Sequence, residues 1–313
     1  CTQSGDFPVK SAGQATFGGG RQDGVILKMT PNLNLVFSTF YGGSGDDAAF
    51  VLSKDPVSGL LYVAGGTTSP SIPGDKTGTI NGTFQGGECD GFITTLSTNG
   101  GPFFKTTYMG TSGADLVYGI QFDRFGSPYI MGTTTGNWPV INATFSNPGS
   151  KQFISKLRPD LSAYVYSTVF GTAAAVPNLS PVAFLVDRCQ NVYVSGWGGG
   201  LNIDQNYQSA GTRNLPEVNP IAGLPPADGA DFYFFVLEKD AQSQLFGSHF
   251  GQNGGLGDHV DGGTSRFDAN GVIYQGICAN CGRDVPFPTT AGAWAVTNGS
   301  QVCNQAGVNR HAE

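Results

Sequence analysis

The chain has 313 residues, of which only 12% are charged, and a formal net charge of −7. Its 16 Lys and Arg are scattered singly, so it lacks the basic patch that a phosphate backbone requires, and nucleic acid is excluded as the expected partner. No run approaches the ~18 consecutive apolar residues of a transmembrane helix, while 48 Gly and 18 Pro set between apolar runs point to many turns.

Taken in chain order, the first predicted strand is Asp23-Gly24-Val25-Ile26-Leu27-Lys28-Met29. An aromatic strand running into a Gly turn follows, Phe37-Ser38-Thr39-Phe40-Tyr41-Gly42-Gly43, and then an apolar run, Ala49-Phe50-Val51-Leu52. Asp55 opens a turn that leads to Leu61-Tyr62-Val63-Ala64-Gly65. The same four features then return. The first strand recurs as Asp90 to Leu96 and Asp231 to Leu237, and Lys151 to Leu157 matches it with Lys in the Asp position. The Gly of the aromatic turn recurs at 110, 171 and 251, in steps of 68, 61 and 80 residues. Apolar runs precede Asp123 and Asp187 as Val117 to Ile120 and Val182 to Leu185. Asp123, Asp187 and Asp268 lead, six residues on, to Tyr129, Tyr193 and Tyr274.

Several runs alternate apolar and small polar residues, as in Val192-Tyr193-Val194-Ser195, which is the period of a pleated strand. No window holds a sustained helical period with caps. The expected fold is all-β, a β-propeller of four-stranded blades of about 60–80 residues. The expected boundaries are 1–41 (a partial first blade), 42–109, 110–170, 171–250 with a long insertion at about 197–230, and 251–313 (a partial last blade). The Phe-Pro loop occurs at both ends and would be redundant in a ring closed by joining the two half-blades, which favours part of a larger propeller.

Four groups of residues are candidates for chemistry. Asp46, Asp47, Asp115, Asp258 and Asp261 follow Gly-rich turns, where a carboxylate either caps the turn or contributes to a calcium site of the weak kind used by extracellular modules. The six Cys include Cys189, Cys278, Cys281 and Cys303. An even count in a Gly-rich chain reads as disulfides of unknown pairing, and Cys278-Ala279-Asn280-Cys281 as a loop staple before a zinc site. Cys1 is a possible lipidated terminus, although it also falls within the repeat. Trp138, Trp197 and Trp294 lie in or near loops, where an aromatic can stack on a sugar or anchor a protein. His259 reads as structural. No Gly-x-Ser-x-Gly elbow or His-Glu-x-x-His motif is present, so no catalytic residue is assigned. The insertion after Trp197 is the first place to look for binding, because long loops on rigid scaffolds carry function.

Tyr41-Gly42-Gly43-Ser44-Gly45-Asp46-Asp47, Gly66-Thr67-Thr68-Ser69 and Ile72-Pro73 resemble the SBBP β-propeller repeat family, as do Ser4-Gly5-Asp6-Phe7-Pro8 and Val285-Pro286-Phe287-Pro288. The segment Asp258 to Asp268 is similar to propeller regions of large surface proteins of gliding bacteria, exported by the type IX pathway. The resemblance implies a secreted or cell-surface protein, non-enzymatic, that binds a surface protein or glycan as an adhesin or scaffold. A polysaccharide-active propeller enzyme and a structural subunit of a surface assembly or fibre are the alternatives.

Overall fold

The computed structural model describes residues 1–199, 209–252, 258, 260, 265–268, 270–277 and 287–296. The described residues form sixteen strands with almost no helix. The chain divides into two compact units, residues 1–142 with 153–168, and residues 143–152 with 169–313.

The strands pair in sequence order. β1 (Gly24–Met29) and β2 (Leu35–Tyr41) form a two-stranded sheet. β3 (Asp47–Lys54), β4 (Leu61–Thr67), β5 (Asp90–Ser97) and β6 (Gly100–Met109) form the first four-stranded sheet. The second holds β7 (Asp115–Phe122), β8 (Pro128–Thr134), β9 (Gln152–Leu157) and β10 (Tyr164–Phe170). The third holds β11 (Ser180–Val186), β12 (Val192–Trp197), β13 (Phe232–Leu237) and β14 (Gln244–Phe250). A last pair, β15 (Ser265–Phe267) and β16 (Ile273–Gln275), is again two-stranded. The protein is therefore all-β, with sequential four-stranded antiparallel sheets as its repeated element.

The Asp turns are built alike because the same side chain closes each. Asp55 Oδ1 accepts from Val57 N at 2.9 Å, Asp123 Oδ1 from Phe125 N at 2.9 Å, Asp187 Oδ1 from Asn191 N at 2.8 Å, and Asp268 Oδ1 from Asn270 N at 2.8 Å. Each carboxylate satisfies loop N–H groups that the following strand cannot reach. A one-residue bulge also recurs in the first strand of each four-stranded sheet, at Phe50, Tyr118 and Val182. A bulge re-aims the side chain it displaces, and Phe50 and Tyr118 end up stacked, with centroids 5.5 Å apart and planes at 13°.

The core lies between sheet faces, which is why third strands are apolar on both sides: β5 and β9 are buried almost throughout. In the first unit Ile26, Tyr41, Val63, Phe92 and Tyr108 form one cluster, with the Tyr41 and Phe92 rings 4.8 Å apart. In the second, Phe170 stacks on Phe235 at 4.3 Å, and Trp197, Phe232 and Val260 pack together.

Candidate functional site

The Gly that follows the last strand of a sheet, at 42, 110, 171 and 251, is closely flanked by acidic or amide side chains. A methyl group at Gly42 would lie 2.5 Å from Asp23 Oδ1 and 2.8 Å from Asp47 Oδ2. At Gly251 the neighbours are Asp258 Oδ2 at 2.5 Å and Asp231 Oδ1 at 2.7 Å, and at Gly110 the Asp90 carboxylate fills the same place. At Gly171 the pair is amides, Gln152 Nε2 at 2.6 Å and Asn178 Oδ1 at 2.7 Å. In the third copy Lys151 keeps the Asp position in strand register, since Ser155 pairs with Ser167 as Thr94 pairs with Thr106, while the neighbouring Gln152 side chain fills the space at the Gly.

These carboxylates receive protein hydrogen bonds of the kind that hold turns. Asp47 accepts from Gly43 N at 2.8 Å, from Ser69 Oγ at 2.8 Å and from Thr67 Oγ1. Asp46 turns away to Arg21, with Nη2 at 2.7 Å. Asp115 accepts from Thr111 N at 2.6 Å and Thr111 Oγ1 at 2.8 Å, and Asp258 from Gln252 N at 3.1 Å. These donors cap the turns. Among the described residues no group of three or more His, Cys, Asp or Glu is placed to hold a metal ion. Burial pushes the carboxyls of Asp23, Asp47 and Asp231 above the usual range, and Asp90, buried and facing Asp115, is pushed up to about 7.

Two of the three tryptophans expected on binding loops are interior. Trp138 lies flat on Phe153, with centroids 3.6 Å apart, and its indole N–H donates to Ser167 Oγ at 3.0 Å. Trp197 is 8% exposed within its cluster, while Trp294 is fully exposed. Cys189, expected in a bridge, is a free exposed thiol, and Cys1 and Cys89 are free too. Cys278, Cys281, Cys303, His259 and Asp261 lie outside the described residues.

The insertion builds a site that motif reading missed. Its described part, 209–230, packs over β13 and β14. There it changes the repeat. The cross-strand pair that is Val25 with Phe40 and Phe92 with Tyr108 elsewhere becomes Tyr233 with His249. The Tyr233 hydroxyl donates to Pro216 O and accepts from Gln244 Nε2 at 3.0 Å. A methyl group at Gly247 would lie 2.5 Å from Pro216 O and 2.7 Å from the Tyr233 hydroxyl, so only Gly admits this network. His249 Nδ1 pairs with Glu217, and Nε2 donates to Pro225 O at 2.6 Å. Both ring nitrogens face acceptors, which the doubly protonated ring satisfies. Arg213 is exposed and donates through Nη2 to Asp228 O at 2.6 Å.

Arg213, Glu217, Tyr233 and His249, with Asn214, Leu215 and Pro226, line a pocket of about 350 Å³. Behind it Asp231 accepts from Thr212 Oγ1 at 3.0 Å and from Gly229 N at 3.3 Å, which fixes the floor. A second cavity, lined by Tyr193, Phe234, Phe246, Phe267 and Ile273, is largely apolar and offers no charged group. The polar pocket joins a cation, a hydrogen-bonded His–Glu pair and an apolar wall, a combination that holds a small polar ligand in one orientation.

Fold and site together define an all-β protein of repeated four-stranded antiparallel sheets, one of which carries a loop-built polar pocket. No family model matches the chain, and comparison with curated proteins finds no match either. No helix among the described residues is long and apolar enough to cross a membrane.

Proposed function

We propose that the chain is part of a β-propeller that serves as a non-enzymatic interaction scaffold, an adhesin-type module on the bacterial cell surface or in its surroundings. The repeated sheets, each with strands in the order one to four, support the propeller reading. The observation that carries the binding role is the replacement of an apolar pair of the repeat by Tyr233 and His249 beneath a loop pocket. Rigid sheets that present a pocket on a long loop are a common arrangement for recognition. The pocket holds one carboxylate, Glu217, which His249 engages, whereas glycoside cleavage by the usual route needs two. The test is binding of the folded protein to glycan arrays and to immobilised cell-surface proteins. Saturable binding to a defined glycan or protein is expected, and failure to bind either class would refute the reading.

A further inference from the structure

We infer that the pocket over β13 and β14 binds a carboxylated sugar, a pyranose residue bearing an acid group such as a uronic acid. The inference rests on the adhesin reading above and names the ligand class of that site.

The argument begins with what the fourth copy of the repeat gives up. Phe40 and Tyr108 are buried core residues at the position that His249 occupies, and they are 1% and 0% exposed. A His with an ionic partner there, and a Tyr at the Phe92 position, exchange apolar packing for polar groups. Such an exchange weakens a core unless each polar group is satisfied. Here both are satisfied by the insertion itself, through Pro216, Glu217 and Pro225. The loop and the changed strands are one constructed unit.

Charge selects the ligand. Arg213 puts a permanent positive charge into the lining of the pocket, in a protein whose net charge is −7. One guanidinium nitrogen is fixed on Asp228 O, which orients the planar fork and leaves its other donors to meet a carboxylate. Asn214 and the carboxylate of Glu217 line the same cavity and suit sugar hydroxyls. Leu215 and Pro226 supply an apolar wall for the C–H face of a pyranose. The volume of about 350 Å³ lies at the small end of ligand pockets, which start near ~300 Å³, and fits a single sugar residue of a longer chain.

The test is calorimetric titration of the protein with methyl β-glucuronide and with methyl β-glucoside, which differ only in the acid group. The glucuronide is expected to bind at least about tenfold more tightly. Arg213→Lys keeps the charge and loses the fork, so it should remove most of that preference. Glu217→Gln should weaken both sugars. Arg213 and Glu217 are exposed, and circular dichroism will show whether each variant keeps its sheets. Equal affinity for the two sugars, no binding of either, or a preference that Arg213→Lys does not alter would overturn the inference. If a glycan or protein found on the arrays still binds Arg213→Lys at full strength, the scaffold reading stands and only the pocket assignment fails. If nothing binds the intact protein, both fail.

Discussion

Asp90 offers a direct test of how the sheets are joined. It opens β5 fully buried, its Oδ2 accepts from Gln85 N, and its Oδ1 has no hydrogen-bond partner. Burial, with Asp115 nearby, raises its carboxyl from 3.8 to about 7. The folded state therefore holds this proton more tightly than the unfolded chain. The stability it contributes is complete below about pH 4 and is lost as pH rises through 7. At about 1.4 kcal/mol per decade of proton affinity, the loss between pH 5 and pH 8 is about 3 kcal/mol for this residue. Asp23, Asp47 and Asp231 are raised as well, so their contributions have the same sign. Urea unfolding at half-unit steps from pH 4.5 to 8.5 should show the protein losing stability with rising pH. Asp90→Asn should flatten that slope by about 3 kcal/mol and be the more stable form at pH 8. A natural precedent lies at Gly171, where the Gln152 amide fills the space beside the Gly and its Nε2 donates to Phe170 O at 2.9 Å. Gln152→Glu should conversely be tolerated at pH 5 and cost about 2–4 kcal/mol at pH 8. An Asp90→Asn protein with an unchanged pH profile, or with lower stability at pH 8, would refute the reasoning.

Three further outcomes are expected. Trp138→Ala should cost about 3–5 kcal/mol in unfolding free energy, because it empties the site against Phe153, whereas Trp138→Phe should cost about 1–2. Gly42→Ala should destabilise by about 1–3 kcal/mol, since the new methyl meets Asp23 on one side and on the other Asp47, which three hydrogen bonds hold in place; thermal melting would measure it. In the folded protein Cys189 should react with a maleimide within minutes. Cys89, half-buried with its thiol pushed up to about 11, should react far more slowly, as mass spectrometry would resolve.

The strands were legible because each is bracketed by punctuation that has a physical cause. An Asp closes the turn before Tyr62, Tyr129 and Tyr193, and a Gly pinned between acidic or amide side chains ends β2, β6, β10 and β14. The side chain that fills each Gly site was less legible. Spacing puts Lys151 in the Asp position, yet Gln152 is the side chain that reaches Gly171, a tertiary contact that spacing does not encode. Trp138 and Trp197 stand in or near loops, where core packing and ligand stacking read alike in the sequence, and in the fold their flat surfaces fill the interior. The pocket left one trace in the sequence. The fourth aromatic strand reads Gly247-Ser248-His249, and its ionisable ring, where the other copies have Phe40, Tyr108 and Val169, stands where the insertion lands. The bulges at Phe50, Tyr118 and Val182 left none, because a one-residue offset within an apolar run preserves its composition.

The amide pair of Gln152 and Asn178 has a consequence for anyone assembling such units into longer arrays. Their hydrogen bonds to one another and to Phe170 O involve no titrating proton. Sheets joined throughout by amides would keep one melting temperature from vinegar to seawater, while sheets joined by carboxyl pairs would carry an acidity gauge at every seam.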